Sequence, residues 1–497
     1  MIHEKVISTG IYQRLWVLAN LLFILIWYLS NQGLSFWDDF TYLNFANELN
    51  QGNFEITTNH FTSRITMIYP TAYVVKFLGI NAYTIVLFPL LCTLGLLNLF
   101  FVLGQRINRL IGVIGSVLIL GDYHLIHFSN HLFPELPMTL LVFLSLAGYY
   151  LVLKQEVVQR LAGLLCALSL FLAFLTKTTV VLVLPLWLFL FVNDRLRKQN
   201  GSFWLSFVFL SLFFFVLNGI WYYEVKGHFF YRFQNIANNH VASATTFFDK
   251  DGLTLLQRLT YLPFQGFMRG GFFIPLLLAA PAIFRLRKAH FSLKAPDRLW
   301  PIASLFLLLA FWFMSTSWRY YSPMPTQNRH IVFFIPVFIM TAATYWPQRD
   351  VFARLKSRVF RLAVIGAFLC IPAYAVLQAN RKNFKDEAYL VEKYLVRDVS
   401  AQYVLTDGLV TYGHDYYYDF QPHDDEYAWF SETGFFELPL RERGNVIYVL
   451  TNKARFNENY KDSRNYELFM ENFKNTGLEL KLIEQKGEVT LFTVTRP

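Results

Sequence analysis

The sequence predicts a polytopic α-helical membrane protein with a small soluble α/β domain at its C-terminal end. Hydrophobic residues make up 55% of the 497-residue chain, and charged residues only 16%. A soluble globular protein carries about 25% charged residues. The charges also divide by region, because residues 1–378 hold 29 Lys or Arg and 14 Asp or Glu, whereas residues 379–497 hold 15 and 20. The acidic tail is typical of a soluble domain, and the basic remainder of a membrane region.

Apolar runs long enough to cross a bilayer recur throughout residues 1–378. A hydrocarbon core of about 30 Å needs roughly 17 to 25 apolar residues per helix. By this measure we predict about 11 transmembrane helices, near residues 12–30, 82–104, 110–126, 132–153, 160–176, 178–193, 203–223, 263–284, 299–316, 330–346 and 359–378. No small-residue cleavage pattern follows the first one, so we expect a retained anchor and not a removed signal peptide.

Lys and Arg residues concentrate in one alternating set of loops, which predicts the orientation of the chain. These clusters lie near residues 106–109, 154–160, 195–198, 285–298 and 349–358. Loops of this kind are usually cytoplasmic. We therefore expect a multi-pass protein of the cytoplasmic (inner) membrane with its N-terminus inside. The loops 31–81 and 224–262 and the domain 379–497 are then extracytoplasmic. Topology explains the basic charge, so nucleic-acid binding has no support.

The tail alternates helical and strand patterns, which predicts a small α/β domain. Residues 384–397 have helical apolar spacing, and residues 402–407, 445–451, 478–484 and 488–494 have strand patterns. The acidic run His423 to Glu426 is either a metal site or a solvated loop. Its spacing, and the lack of a second cluster of ligand residues, favour the loop. Cys92, Cys166 and Cys370 lie in apolar runs and predict neither a disulfide framework nor a metal site.

The few acidic residues outside the predicted cytoplasmic loops are the first candidates for function. Asp38 and Asp39 open a segment whose apolar spacing predicts an amphipathic helix at the outer membrane surface. Acids at this position can cap the helix, and paired carboxylates can also form a functional site, which we favour. Glu135 lies between two prolines at the outer end of an apolar span, where a carboxylate is costly and usually faces a partner or cavity. Asp122 is a weaker candidate and is expected to be structural.

Positive charges in or near the outer ends of the spans are the second group of candidates. Lys177 lies between two apolar runs, where it either extends to the interface or serves a site. Arg329 and His330 stand at the outer mouth of a later span, and Arg64 lies in the first outward loop. Cations on the outer side oppose the usual inside bias. A bound anion such as a lipid phosphate would account for them.

Taken in order, these segments resemble the integral-membrane glycosyltransferases of the GT-C superfamily. The closest resemblance is to the branch of protein O-mannosyltransferases and lipid A aminoarabinose transferases (glycosyltransferase family 39 and relatives). It rests on Asp38-Asp39 before an amphipathic helix, Tyr69–Tyr73 and Phe77–Ile80 before the second span, Glu135-Leu136-Pro137-Met138, Leu175-Thr176-Lys177, and Arg329 at the start of a late span. It covers most of residues 12–378, which form the expected catalytic domain.

The resemblance implies a polyprenyl-phosphate-sugar-dependent glycosyltransferase of the cell envelope, either a hexosyl- or a pentosyltransferase. Such an enzyme moves a sugar from a polyprenyl-phosphate donor to a hydroxyl of a protein, lipid or glycan acceptor outside the cytoplasmic membrane, with inversion at the anomeric carbon. Two other classes remain open. A transporter or flippase of lipid-linked sugars would show inverted repeats and charges near the bilayer midplane, and a non-catalytic scaffold would bind a partner through its tail.

Roles for the candidate residues follow from this expected chemistry. Glycosyl transfer needs a base, for which we choose Asp38, and the phosphate leaving group needs cations. The predicted catalytic residues are Asp38, Asp39 and Glu135, and the predicted donor-phosphate ligands are Lys177, Arg329 and, in reserve, Arg64. No cofactor is certain, and a divalent metal ion shared by Asp38 and Glu135 is left open.

Overall fold

A computed structural model of the chain describes residues 7–238, 255–269, 273–286, 293, 295–315, 321, 323–324, 326–348, 358–381, 383–395, 403–406, 408–417, 420, 428–431, 448–453 and 465–495. Most of these residues are helical, and the five strands all follow residue 402. The predicted division into a helical membrane region and a small α/β tail matches this distribution.

The helices of the first half, labelled in chain order, are α1 (Thr9–Leu29), α2 (Trp37–Gln51), α3 (Ile65–Leu78), α4 (Leu87–Arg106), α5 (Arg109–Leu120), α6 (Tyr123–Phe128), α7 (Glu135–Leu153), α8 (Gln159–Thr176), α9 (Leu184–Leu196) and α10 (Gly201–Lys226). Those that follow before the tail are α11 (Leu255–Thr260), α12 (Leu262–Arg269), α13 (Phe273–Phe284), α14 (Leu299–Phe313), α15 (Asn328–Ile331), α16 (Ile335–Tyr345) and α17 (Arg358–Arg381). Residues 231–238 are also helical.

Seven helical segments in the described part of the chain are long and apolar enough to cross a membrane. They are Thr9–Leu29, Leu87–Arg106, Glu135–Leu153, Gln159–Thr176, Thr178–Leu196, Gly201–Lys226 and Pro296–Phe313. Each coincides with one of the eleven predicted spans. The chain is therefore a polytopic helical membrane protein, and the remaining four predicted spans differ in detail.

The span predicted at 110–126 is wrong in its length, because the helix breaks near its C-terminal end. α5 ends at Leu120 and α6 begins at Tyr123. Asp122 lies between them, and its Oδ1 accepts a hydrogen bond of 2.9 Å from the main-chain N–H of Leu125. A carboxylate that caps a new helix in this way favours a break in the chain direction. Asp122 is thus structural, as expected.

The other three predicted spans are shorter, interrupted or less apolar. Residues 330–346 form α15, a 3₁₀ turn (Val332–Phe334) and α16, and α13 covers only the second half of the span predicted at 263–284. α17 covers the span predicted at 359–378, but it is not among the seven segments that are long and apolar enough to cross a membrane.

The predicted amphipathic helix after the first span is present as α2. Phe40, Leu43 and Ala46 are fully buried on one face, whereas Asn47 and Glu48 are partly exposed. The helix ends at Gly52, whose φ of +81° suits a glycine after the last turn. α3 packs beside α2, so residues 31–81, the predicted first outward loop, form a helical layer of their own.

The tail contains a five-stranded sheet with two parallel and two antiparallel pairings. Its strands are β1 (Tyr403–Thr406), β2 (Ala428–Ser431), β3 (Tyr448–Asn452), β4 (Glu479–Lys486) and β5 (Val489–Thr495), in the spatial order β2-β1-β3-β5-β4. Its helices are α18 (Lys385–Leu390), which continues as a π-helical turn, α19 (Gly408–Tyr412), α20 (His414–Tyr417) and α21 (Asn465–Lys474). The four predicted strands are present, and β2 is additional. The acidic run 423–426 lies outside the described residues.

Candidate active site

The adjacent acids at the start of α2 have different surroundings. Asp39 is fully buried, and its Oδ2 accepts hydrogen bonds of 3.2 Å from the main-chain N–H groups of Ser35 and Phe36. Its Oδ1 accepts a third, of 2.7 Å, from the N–H of Leu132, and Nδ1 of His131 lies 3.1 Å from its Oδ2. Asp39 therefore caps α2 and fixes it to the segment before α7.

Asp38 instead points toward positive charge. Its Oδ2 lies 3.0 Å from Nη1 of Arg329, in an ion pair between residues 291 positions apart. Burial raises the pKa of the Asp38 carboxyl above its ordinary value, although the positive charges of Arg329 and Arg64 oppose the effect. A carboxylate with a raised pKa is a stronger base than an exposed one.

A second ion pair lies at the N-terminus of α7 and the C-terminus of α8. Nζ of Lys177 is 2.5 Å from Oε1 of Glu135, and both side chains are at least nine-tenths buried. His330 completes this group, with its Nδ1 3.4 Å from Nζ of Lys177. The second carboxylate oxygen of Glu135, Oε2, is buried without a hydrogen-bond partner among the described residues. A buried acceptor of this kind is costly unless a ligand group fills it.

Local chain geometry places these two side chains. Glu135 is the first residue of α7, where a carboxylate is favoured by the helix dipole. Lys177 follows the last residue of α8 in an extended conformation, with φ of −157°, before a 3₁₀ turn begins. This break aims the lysine across to α7. The alternative of a lysine extended to the membrane interface is therefore wrong, since Lys177 is only 8% exposed.

Arg64 approaches the same acids from the first outward loop. Its guanidinium donates a hydrogen bond to the hydroxyl of Tyr42 and lies 4.3 Å from the ring centre of Phe61. Oγ1 of Thr66 lies 2.6 Å from Oγ1 of Thr176, which ties the start of α3 to the end of α8 beside Lys177. Arg64 makes no ion pair with a carboxylate in the described part of the chain, so its charge is available to an anion.

Arg232 is a further cation, which the sequence did not single out. It is only 1% exposed, its Nη2 donates a 2.5 Å hydrogen bond to the main-chain oxygen of Phe174, and its guanidinium lies 4.4 Å from the ring centre of that residue. Burial lowers its pKa to about 10, an effect that Tyr222 opposes and the nearby charge of Arg64 reinforces, and the side chain stays charged at neutral pH. Its Nε and Nη1 have no hydrogen-bond partner among the described residues.

The segment that carries Arg232 is held against the first outward loop. The hydroxyl of Tyr231 and Nδ2 of Asn235 donate hydrogen bonds of 3.1 and 3.2 Å to the main-chain oxygen of Thr57. In the sequence, Arg232 is an ordinary outer-loop arginine between aromatic residues. Its burial and its unpaired nitrogens are visible only in the folded structure. The sequence offered one weak signal, a positive charge on the predicted outer side.

The structure thus brings together Asp38, Glu135, Lys177, Arg329 and Arg64, whereas Asp39 faces His131 instead. His330 lies beside Lys177, and the additional cation Arg232 lies near Arg64. The charges of Arg329, Arg64, Glu135 and Lys177 all act on the carboxyl of Asp38. Asp38 and Glu135 each have a cation as nearest charged partner. No three His, Cys, Asp or Glu side chains among the described residues converge as a metal site would require. Asp38 and Glu135 each face a cation instead, an arrangement that does not suit a metal ion shared between them.

Comparisons with solved structures show the fold of the whole chain. ArnT from Cupriavidus metallidurans bound to undecaprenyl phosphate is similar with a TM-score of 0.55 and 12% sequence identity, over 98% of each chain. The apo state of the same protein is similar with a TM-score of 0.52 and 12% identity, over 96% of this chain and 97% of that one. No protein-family model and no curated protein sequence matches. The chain therefore shares the overall fold of ArnT, a fold of the kind that the resemblance in the sequence implied.

Proposed function

We propose that this protein, as a chain with the GT-C fold, transfers a sugar from a polyprenyl-phosphate donor to a hydroxyl acceptor. One observation carries the proposal. Two carboxylates, Asp38 and Glu135, of which Glu135 has an unsatisfied oxygen, lie among the three cations Lys177, Arg329 and Arg64. Undecaprenyl phosphate is bound in ArnT, which has the same fold, and this supports a lipid-linked donor for the present chain.

The proposed reaction is a single displacement at the anomeric carbon of the donor. Asp38 takes the proton of the acceptor hydroxyl while the acceptor oxygen forms a bond to that carbon. The bond between the carbon and the phosphate oxygen breaks, and its electron pair leaves on the polyprenyl phosphate. Attack opposite to the leaving group inverts the anomeric centre. Asp39 acts as a positioning residue, because its four hydrogen bonds hold the first turn of α2.

Cations at the other side of the site stabilise the negative charge that develops on the leaving phosphate. Lys177, Arg64 and Arg232 supply charge from buried or partly buried positions, where charged hydrogen bonds are strongest. Arg329 connects both halves of the site. Its Nη1 contacts Asp38, and its Nη2 has no hydrogen bond within the described part of the chain. Glu135 holds Lys177 in place and offers Oε2 to a hydroxyl or amino group of a substrate.

The site is proposed to work on the outer side of the cytoplasmic membrane. A lipid-linked donor reaches it sideways through the bilayer, and the positive loops at the opposite helix ends support a cytoplasmic location for those ends.

Mass spectrometry of cell extracts tests this function directly. Glycolipids, glycoproteins and polysaccharides are compared between cells with and without the gene. We expect one sugar-bearing product to disappear without the gene and to return with the wild-type gene. Unchanged products in every fraction would overturn the proposed transfer, and accumulation of the lipid-linked donor on one membrane face alone would indicate a transporter.

The raised pKa of Asp38 predicts the acid side of the pH profile. The base acts only as the carboxylate, so activity is full above the pKa of Asp38 and is lost as the pH falls through it. Because burial raises that pKa, the loss is expected above about pH 4, the ordinary range of an Asp carboxyl. Arg329→Gln removes a charge that lowers this pKa and should move the acid limb to still higher pH. Initial rates in membranes over a pH series check both shifts.

Arg232 predicts a specific loss of donor affinity. Arg232→Gln removes a charged donor with two unsatisfied nitrogens, and charged hydrogen bonds are worth about 1.5 to 3 kcal/mol. We therefore expect binding of undecaprenyl phosphate in nanodiscs to weaken about 10- to 100-fold. Arg258→Gln is the matched control. Arg258 is equally buried at 3% exposure, but its guanidinium donates to the main-chain oxygens of Met324 and Phe311. Equal losses of undecaprenyl phosphate affinity in both variants would contradict the assignment of Arg232 to the donor phosphate.

A further inference from the structure

Helix α2 presents two neighbouring faces with different partners. Asp38 and Tyr42, four residues apart, lie on the face that meets Arg329 and Arg64. Trp37 and Thr41, also four residues apart, lie on the adjacent face together with Phe40, and that face meets the tail domain. The tail therefore borders the proposed base directly.

Aromatic contacts form the centre of this border. The ring centroids of Trp37 and Tyr412 are 4.6 Å apart at an interplanar angle of 47°. Trp37 is 50% exposed and Tyr412 39% exposed, so both rings keep a free face. The indole N–H of Trp37 makes no hydrogen bond to any residue that the structure describes. One ring comes from the membrane region and the other from α19 of the tail.

Hydrogen bonds and close packing hold the pair in place. The Thr41 hydroxyl donates to the main-chain oxygen of Trp37 at 2.7 Å, so the Tyr412 hydroxyl, 2.9 Å from Thr41 Oγ1, is the donor of that second bond. Gly413 lies flat on the ring of Phe40, since a Cβ there would be 2.3 Å from ring carbons. Only glycine allows this approach. The platform is thus rigid, although both of its rings are accessible.

We propose that Trp37 and Tyr412 form the acceptor platform and that the acceptor is a saccharide. This inference rests on the proposed function. The apolar C–H face of a sugar ring packs well on aromatic rings, the indole N–H offers a hydrogen bond to a sugar hydroxyl, and Asp38 follows Trp37 directly to receive the proton of the reacting hydroxyl. A peptide acceptor fits less well, because both rings stand on helices whose main-chain groups are already hydrogen-bonded, which leaves no strand edge for a peptide.

The first arm of the test asks where the product appears. Cells with and without the gene are extracted, and the glycolipid, polysaccharide and protein fractions are analysed by mass spectrometry. A gene-dependent sugar linked to another sugar is the expected result. Attachment to Ser or Thr of a protein would overturn the saccharide acceptor while leaving the proposed transferase function intact. The absence of any gene-dependent product would overturn the function itself.

The second arm measures the platform. The acceptor probe is the unmodified saccharide-containing fraction from cells that lack the gene, titrated against enzyme in nanodiscs. An aromatic contact worth about 1.4 kcal/mol corresponds to about a tenfold change in affinity. We therefore expect Trp37→Ala and Tyr412→Ala to raise the acceptor KM about tenfold, with kcat and undecaprenyl phosphate binding close to wild type. Tyr412→Phe, which keeps the ring but loses its bond to Thr41, should show a smaller rise.

Tyr389→Ala is the matched control, because Tyr389 lies in the same tail domain and is also 39% exposed. It should leave the acceptor KM unchanged. Size-exclusion chromatography of each variant checks folding. An acceptor KM equal to wild type in folded Trp37→Ala and Tyr412→Ala proteins would overturn the platform, as would an equal rise in Tyr389→Ala.

Discussion

Asp38→Asn is expected to lower the rate of sugar transfer by at least about a hundredfold while the protein still folds and binds donor. General base catalysis typically contributes about 10²- to 10⁴-fold, and an amide at this position cannot take the acceptor proton. The shape of the side chain is kept, and Arg329 remains available to the donor phosphate. Initial rates in nanodiscs, normalised to the amount of folded protein, measure the loss. Binding of undecaprenyl phosphate is measured on the same preparations.

Asp297→Asn is the control for Asp38→Asn. Asp297 also forms an ion pair with a cation, since its Oδ1 lies 2.8 Å from Nζ of Lys154. Lys154 follows α7 directly, so this pair lies at the end of the helix opposite Glu135. The control should transfer sugar at the wild-type rate. Transfer by Asp38→Asn at the rate of this control would remove Asp38 from the role of base.

Lys177→Met is expected to destabilise the protein and to weaken donor binding, and a second substitution separates the two effects. Removing one partner of a buried ion pair costs about 3 to 5 kcal/mol, because the other charge is left uncompensated. Glu135 is 1% exposed and would be that charge. The double variant Lys177→Met/Glu135→Gln removes both charges, so its thermal unfolding midpoint should return toward that of the wild type. Its affinity for undecaprenyl phosphate should stay low.

The ion pair between Lys154 and Asp297 is more exposed and provides the comparison for Lys177. Lys154→Met breaks the contact with Asp297, and in this pair the lysine side chain is 25% exposed and the aspartate side chain 33% exposed. Ion pairs near the surface contribute only about 0 to 1 kcal/mol, so this variant should unfold near the wild-type midpoint and bind donor normally. Wild-type donor affinity in the folded double variant would show that Lys177 serves only to neutralise Glu135.

The membrane fold was largely predictable, because the free energy of placing a segment in a bilayer depends mainly on its own composition. Seven predicted spans coincide with long apolar helices. The prediction failed where a single polar residue redirected the chain, as Asp122 does between α5 and α6. The conspicuous charges were found for the same reason, since Glu135 and Lys177 stand out against apolar neighbours. Arg232 was missed because an arginine in a loop between long apolar runs is not unusual, and its burial arises only from packing against Phe174 and the segment at Thr57.

By itself, the sequence determined the helical membrane class, the small α/β tail and most of the charged residues at the site. Only the tertiary structure decided what each charge contacts. Asp38 pairs with a residue 291 positions away and Lys177 with one 42 positions away. The tertiary structure also gave the neighbouring residues Asp38 and Asp39 different contacts, because successive side chains on a helix point about 100° apart. Asp39 therefore turns back to cap α2, and Asp38 meets Arg329. Hydropathy and helix capping act between near neighbours, whereas ion pairs and the contact of α19 with α2 depend on segments that only folding brings together.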